Sequence, residues 1–267
     1  YSRVTALNSI QMSGSYILAP ALAGVFYSLM GLAGILTIDI FTFTIAISTL
    51  SFVIIPQPQN TEVGHKNIQS QWQELTFGFR YLIKYPPLIA ILIFWVGNNL
   101  IGGMNFAILP AMILARSNND STVLSTLLTT FGIGGLLGGV TISIWGGPKR
   151  KIHGLLMGSA IWKLGLLTLS LALEIRLKII AAFVSGFSSP FPSSSNQAIW
   201  LSKIEPDIQG RVFAARFLIA QIPTALGAAI AGMLADNFFE PAMKSNGILA
   251  PIFGNIFGTQ TGAGMAL

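Results

Sequence analysis

Seven long apolar stretches are the feature that most limits what this chain can fold into. A helix needs about 20 mostly apolar residues to cross the hydrocarbon core of a bilayer. The stretches lie at approximately 5–29, 33–55, 88–113, 121–145, 152–173, 178–201 and 211–235. Only 9% of the 267 residues are charged, whereas soluble domains carry about 25%. We therefore predict an all-α integral membrane protein with about seven transmembrane helices, and we exclude a soluble domain.

The loops between these stretches differ in their content of basic residues. One set of loops holds Arg3, Lys66, Arg80, Lys84, Lys149, Arg150, Lys151, Lys203 and Arg211, and the other holds Arg116, Arg176, Lys178 and Lys244. Cytoplasmic loops carry an excess of Lys and Arg. The richer side is therefore expected in the cytoplasm, with the N-terminus on that side and the C-terminus outside. We interpret the net charge of +6 as the excess of basic residues in cytoplasmic loops, and we expect no nucleic-acid partner.

The longest cytoplasmic connection, 56–87, begins with polar residues and continues with an amphipathic pattern. Its apolar residues follow helical spacing, in a set formed by Trp72, Leu75, Phe79, Leu82 and Ile83. This spacing predicts a helix with one apolar face. Such a helix suits the membrane surface, and a purely structural linker is the alternative.

An internal repeat relates the first apolar stretch to the last. Residues 3–25 match 211–233 without a gap, in an Arg-Val-x-Ala start and an Ala-Gly end at the same register. Six predicted helices separate the two copies, so the repeated unit has six helices in the same orientation. Parallel six-helix repeats occur in secondary transporters that are built from two halves.

Three segments carry a resemblance to the major facilitator superfamily, in its macrolide-efflux and siderophore-exporter type. They are 3–24, 72–81 and 210–236, which include Arg-Val-Thr-Ala-Leu-Asn, Trp-x-Glu-Leu-x-x-Gly-Phe-Arg-Tyr and Gly-Arg-Val-Phe-Ala. The resemblance implies helices five to eleven of a twelve-helix bundle in a bacterial inner (plasma) membrane. Residues 1–55 would end the N-terminal half, 56–87 would link the halves, and 88–267 would form a C-terminal half without its final helix. The missing helices are expected partners of this chain.

The resemblance also implies a direction of transport and a coupling ion. Ala19-Pro20-x-x-Ala23-Gly24 is similar to the antiporter motif of the fifth helix, which the family associates with export in exchange for protons. Its alternative role is close packing and a proline kink. Asp39 lies inside the second stretch, where a charge costs several kcal/mol. It is a proton-coupling candidate, and bonding to neighbouring helix ends is the alternative.

Polar residues inside the later stretches are the candidates for a substrate cavity. They are Asn98, Asn99, Asn105, Ser194, Asn196, Gln197, Gln221 and Arg216. Asn98 and Asn105 are seven residues apart and share a helix face. The polar, proline-containing stretch 178–201 predicts a broken helix, which is tolerated where it lines a cavity or is buried in protein. The asparagines could alternatively form helix–helix hydrogen bonds. The stretch 178–201 could alternatively be an interfacial loop, and Arg216 could reach back to the membrane interface by snorkelling.

Catalytic motifs are absent from the sequence. The chain has two histidines, no cysteine and no phosphate-binding loop, so we expect neither an enzyme nor a metal or other cofactor. The favoured hypothesis is a secondary active exporter of small organic molecules, driven by protons or another ion. The alternative is a truncated, non-transporting membrane remnant or a helical partner subunit.

Overall fold

The computed structural model describes residues 30, 34, 36–49, 51–52, 71–171 and 174–267. The predicted stretch 5–29, the first part of the linker and the antiporter-like residues Ala19, Pro20, Ala23 and Gly24 lie outside the described residues. Every regular element within the described ranges is helical.

The described helices are α1 Leu36–Thr49, α2 Gln71–Ile83, α3 Pro86–Arg116, α4 Ser121–Trp145, α5 Lys151–Ser170, α6 Ile175–Ser188, α7 Pro190–Lys203, α8 Gln209–Leu234, α9 Glu240–Met243, α10 Ala250–Phe257 and α11 Ala263–Ala266. The long helices α3, α4, α5 and α8 agree closely with predicted apolar stretches, whereas other helices lie outside them. In the described part, α3, α4, α5 and the segment Gln209–Met243 are long and apolar enough to cross a membrane. The protein is an all-α integral membrane bundle, as the sequence predicts.

The predicted stretch 178–201 forms two helices that meet at Ser189. Pro190 and Pro192 cause this break, because proline lacks the N–H that would continue the ladder and its ring crowds the preceding turn. The interruption that the sequence predicts is therefore present.

The last long helix continues beyond its predicted end at residue 235. It passes through a π-helical turn, Ala235–Phe239, directly into α9. The Gly/Pro/Asn-rich segment that follows also contains α10 and α11, two short helices that sequence periodicity does not indicate.

Glycines let α3 and α8 approach backbone to backbone. A Cβ atom on Gly103 would overlap the carbonyl oxygen of Thr224, and a Cβ on Gly227 would overlap that of Leu100. Close contact through small residues drives helix association in membranes, where the hydrophobic effect contributes little. The pair α4 and α6 uses the same device, with Gly134 and Gly186 at the contact.

Two buried clusters lie at opposite ends of the bundle. One joins α2, the start of α3, the end of α7 and the start of α8, and it includes Leu82, Trp200 and Val212. The other joins the end of α3 to α4, α5, α6 and the C-terminal helices. We call the end with the first cluster the basic end, because it carries Arg80, Lys84, Lys149, Arg150, Lys151, Lys203 and Arg211.

The amphipathic helix α2 lies against the start of α8. Gly78 would meet the Arg211 carbonyl if it carried a Cβ, and the Arg211 guanidinium lies 4.5 Å from the ring centre of Phe77. Phe79 and Ile83 remain exposed, Ile83 by 71%. The helix is therefore docked on the bundle and still presents apolar side chains at its surface.

Candidate functional site

A polar cluster between α7 and α8 lies near the basic end of the bundle. The Nη1 atom of Arg216 on α8 donates a hydrogen bond of 2.9 Å to Oε1 of Gln197 on α7. The guanidinium also lies 4.9 Å from the ring centre of Trp200 and 5.7 Å from that of Phe213. An amide oxygen and two aromatic faces thus hold a cation inside a membrane-spanning segment, and cation–π attraction strengthens when the cation is desolvated.

The α7 side of this cluster is organised by Asn196. Its Oδ1 accepts a hydrogen bond of 2.9 Å from Nε1 of Trp200, one turn further along the helix. Both residues have no exposed surface. The Asn196 Nδ2 group has no hydrogen-bond partner within the described ranges. A buried amide donor without a partner costs about 1–3 kcal/mol.

The asparagines of α3 have three different environments. Asn99 Nδ2 donates to the carbonyl of Ala220 at 3.0 Å and ties α3 to α8. Asn98 is buried, with 9% of its surface exposed. Asn105 Nδ2 donates within its own helix to the carbonyl of Ile101 at 2.9 Å. The Asn99 contact is a helix–helix hydrogen bond, the alternative that the sequence left open.

The remaining candidates are not brought into this cluster. Ser194 is buried and donates to the carbonyl of Pro190 at 2.8 Å within α7. Gln221 lies on an exposed face of α8, and Asp39 is exposed on α1. Of the predicted cavity residues, the structure therefore joins Arg216 and Gln197 directly and Asn196 through Trp200.

Sequence reasoning missed the two aromatic side chains that hold Arg216. The signal was available in the spacing, because Trp200 follows Asn196 by four residues and Phe213 precedes Arg216 by three. Residues at these separations share a helix face. The pattern could not show that the faces of α7 and α8 meet.

Sequence similarity to known proteins indicates the kind of protein in which this arrangement occurs. The chain is 27% identical over 228 residues to Macrolide efflux protein A of Streptococcus pyogenes, a match that covers 84% of this chain and 55% of that protein. It is 28% identical over 218 residues to Macrolide efflux protein A of Enterococcus faecalis, which covers 80% of this chain and 66% of that protein. The chain is similar to major facilitator efflux transporters.

A third relative agrees with this similarity. The Uncharacterized MFS-type transporter YbcL of Bacillus subtilis (strain 168) is 25% identical over 153 residues, 56% of this chain and 37% of that protein. The chain thus spans between about half and two thirds of the length of the macrolide efflux proteins that it matches. No family model matches the chain, and no solved structure does. The resemblance inferred from the sequence motifs is confirmed by these relatives, whose names describe transporters.

Proposed function

We propose that the protein exports small organic molecules, of the macrolide, drug or siderophore kind, by alternating access between two six-helix halves. The observation that carries this proposal is the similarity to macrolide efflux proteins over 84% of the chain. The internal repeat supports it independently, because parallel six-helix repeats are the architecture of such transporters. Residues 1–55 and 88–267 then belong to different halves, joined by the segment 56–87.

The cluster around Arg216 is our candidate for contact with the exported molecule. An unusual feature of this site is a guanidinium held only 2.9 Å from a neutral amide oxygen beside a buried Asn196 donor without a partner in the described part of the chain. Arg216 and Phe213 are only partly buried, so they offer a charged hydrogen-bond donor next to an aromatic ring, the combination that orients amphipathic ligands. Asn98, Asn99, Asn105, Ser194 and Gln221 would line the path at other depths.

Proton coupling is assigned in this proposal to Asp39. A carboxylate inside an apolar helix is costly when charged, so such groups mark proton and substrate pathways in membrane proteins. Asp39 lies in the first turn of α1 as described, and its side chain is exposed there. Binding and release of a proton at Asp39 would drive the change between the two orientations of the transporter.

The basic end is proposed to face the cytoplasm of a bacterial cell. Among the described residues this end carries seven lysines and arginines, whereas Arg116, Arg176, Lys178 and Lys244 lie toward the opposite end. Lysines and arginines are retained on the cytoplasmic side during membrane insertion. The Arg216 cluster would then be reached from the cytoplasm.

Accumulation of a radiolabelled macrolide tests the proposal in a drug-sensitive bacterial strain. Cells that express the full-length protein should retain less label than empty-vector cells. Arg216→Gln should raise retention toward the empty-vector level at equal protein abundance, because the variant loses the charged donor. Arg176→Gln is the matched control, since Arg176 is exposed at the opposite end of the bundle. Equal retention with and without the wild-type protein would refute macrolide export and favour a non-transporting partner.

A further inference from the structure

An apolar groove runs along the surface of α5, beside the end of α4 and the helices α6 and α7. Its volume is about 370 Å³, and its lining includes Trp145, Met157, Ile161 and Phe187. Met157 and Ile161 are 63% and 44% exposed, so the groove is open to the surroundings of the bundle. All of its lining residues lie within 145–191. The helix pair α4–α5 and the broken helix α6–α7 therefore form the groove by themselves.

The groove has the length of one lipid leaflet. Its lining on α5 extends from His153 to Ile161, eight residues, or about 12 Å along the helix axis. A hydrocarbon core of about 30 Å gives each leaflet about 15 Å. The groove begins at the basic end beside Trp145, an exposed tryptophan of the kind that is enriched at membrane interfaces. These dimensions fit an acyl chain that enters from the interface.

Two basic residues lie at the mouth of the groove. Lys149 and Arg150 are exposed, and they are placed along the chain between Pro148 and His153, which both line the groove. Neither side chain forms a hydrogen bond or an ion pair within the described ranges. None of the described residues that line the groove is acidic. The mouth therefore attracts an anionic group from outside the bundle.

The start of α5 adds a second attraction for an anion. Arg150 is the N-cap residue, and its side chain forms no capping hydrogen bond. The first-turn N–H groups receive no acceptor from this residue, and the N-terminus of a helix carries a partial positive charge. Phosphate groups bind at helix N-termini for this reason. Lys151 donates to the carbonyl of Gly146 at 3.0 Å, a contact that ties the start of α5 to the end of α4.

We propose that this groove binds one anionic phospholipid, such as phosphatidylglycerol, with an acyl chain along α5 and the phosphate beside Lys149 and Arg150. Basic pockets between membrane helices recognise anionic headgroups in this way. A zwitterionic lipid offers the same chains and phosphate, but its ammonium group is repelled by the basic pair. The proposal does not rest on the export function, and the groove is separate from the Arg216 cluster.

Native mass spectrometry of the full-length protein in detergent tests the proposal. Phosphatidylglycerol and phosphatidylcholine with identical chains are titrated, and the apparent Kd of the first bound lipid is measured. We expect the wild type to prefer phosphatidylglycerol about tenfold or more. Lys149→Gln/Arg150→Gln should lose most of this preference, because each basic residue near an anionic headgroup changes the affinity about fivefold. The control Lys84→Gln/Lys203→Gln, which removes the same charge from exposed positions elsewhere at the basic end, should keep it.

A second pair of variants tests the position of the acyl chain. Val184 lines the groove and is 39% exposed. Val184→Phe should weaken the binding of both lipids several-fold, because the larger ring fills the groove. Val140→Phe is the matched control, since Val140 is 42% exposed on α4 and lies outside the groove lining. Glycerol phosphate, which has the headgroup charge without chains, should not displace phosphatidylglycerol.

Equal affinity of the wild type for the two lipids would overturn the proposal. Equal loss of preference in the two double variants would also overturn it and would indicate diffuse attraction to the basic end. Unchanged lipid affinity in Val184→Phe would refute the groove as the site of the chain and would indicate that another segment or a second copy covers it. Displacement by glycerol phosphate would refute a lipid and favour a free phosphate.

Discussion

Replacement of Gly103 by alanine should separate α3 from α8. A Cβ atom at this position would overlap the carbonyl oxygen of Thr224 and would stand 3.0 Å from its Cα atom. These are backbone atoms, so no side-chain rotation relieves the contact and the helices must shift. Overpacking of this kind costs about 1–3 kcal/mol. A shift of about 1 Å would also stretch the 3.0 Å bond from Asn99 to Ala220 beyond 3.5 Å, at a cost of about 1 kcal/mol.

The neighbouring Gly102 is the matched control. A Cβ there meets no atom within 4 Å, and alanine is favoured over glycine in helices by about 1 kcal/mol. After this gain the net loss for Gly103→Ala is about 1–3 kcal/mol. It should appear as a fall of several degrees in the melting temperature of the detergent-solubilised protein, whereas Gly102→Ala should melt at or above the wild-type temperature. Equal melting of the two variants would refute the close contact between α3 and α8.

Three further predictions concern groups at the ends of the helices. Asp120 caps α4 by accepting a backbone N–H at 2.8 Å, which lowers the pKa of its carboxyl group. Asp120→Ala should therefore melt earlier at pH 7, and the difference should shrink as the pH falls below the ordinary value of 3.8. Burial raises the pKa of Tyr81 from its ordinary value of 10.0 to about 12. The folded protein therefore holds this proton more tightly than the unfolded chain, and the free energy of unfolding should fall as the pH rises from 10 to 12. An ultraviolet titration of Tyr81→Phe should lack a tyrosine that ionises near pH 12 in the wild type. Glu240 accepts the N–H groups of Gly262 and Met265 at 3.3 and 3.0 Å. Glu240→Gln keeps one acceptor oxygen and should speed deuterium exchange at these amides.

The long helices could be predicted from the sequence because membrane burial acts on each of them separately. Apolar runs set the limits of α3, α4 and α5, and the start and end of α4 agree with the prediction. The break between α6 and α7 could be predicted from Pro190 and Pro192, because the effect of a proline on a helix depends only on nearby residues. These are properties that a single helix carries in its own composition.

The short helices at the C-terminal end could not be predicted in this way. Glycines and prolines disfavour helix in that segment, and its structure depends on tertiary contacts. The Arg116 guanidinium donates to the carbonyls of Ser170 and Phe257, which joins the ends of three helices. Glu240 holds the start of α11 from 22 residues away in sequence. Contacts over such distances leave no periodic signal.

The candidate site was predicted only in part for the same reason. Periodicity placed Asn98 and Asn105 on one helix face, but it did not reveal which helix packs there. Arg216 and Gln197 were recognised as polar residues in apolar stretches, but their pairing depends on side-chain contacts between α7 and α8.

Transport by the purified full-length protein in liposomes tests the central claim most directly. Liposomes with an acidic lumen should take up a radiolabelled macrolide above the level of protein-free liposomes, which corrects for trapping of a weak base. A protonophore should abolish the excess, and Asp39→Asn should lack it, whereas Asp236→Asn should retain it. Uptake equal to that of protein-free liposomes under the same gradient would contradict proton-driven export.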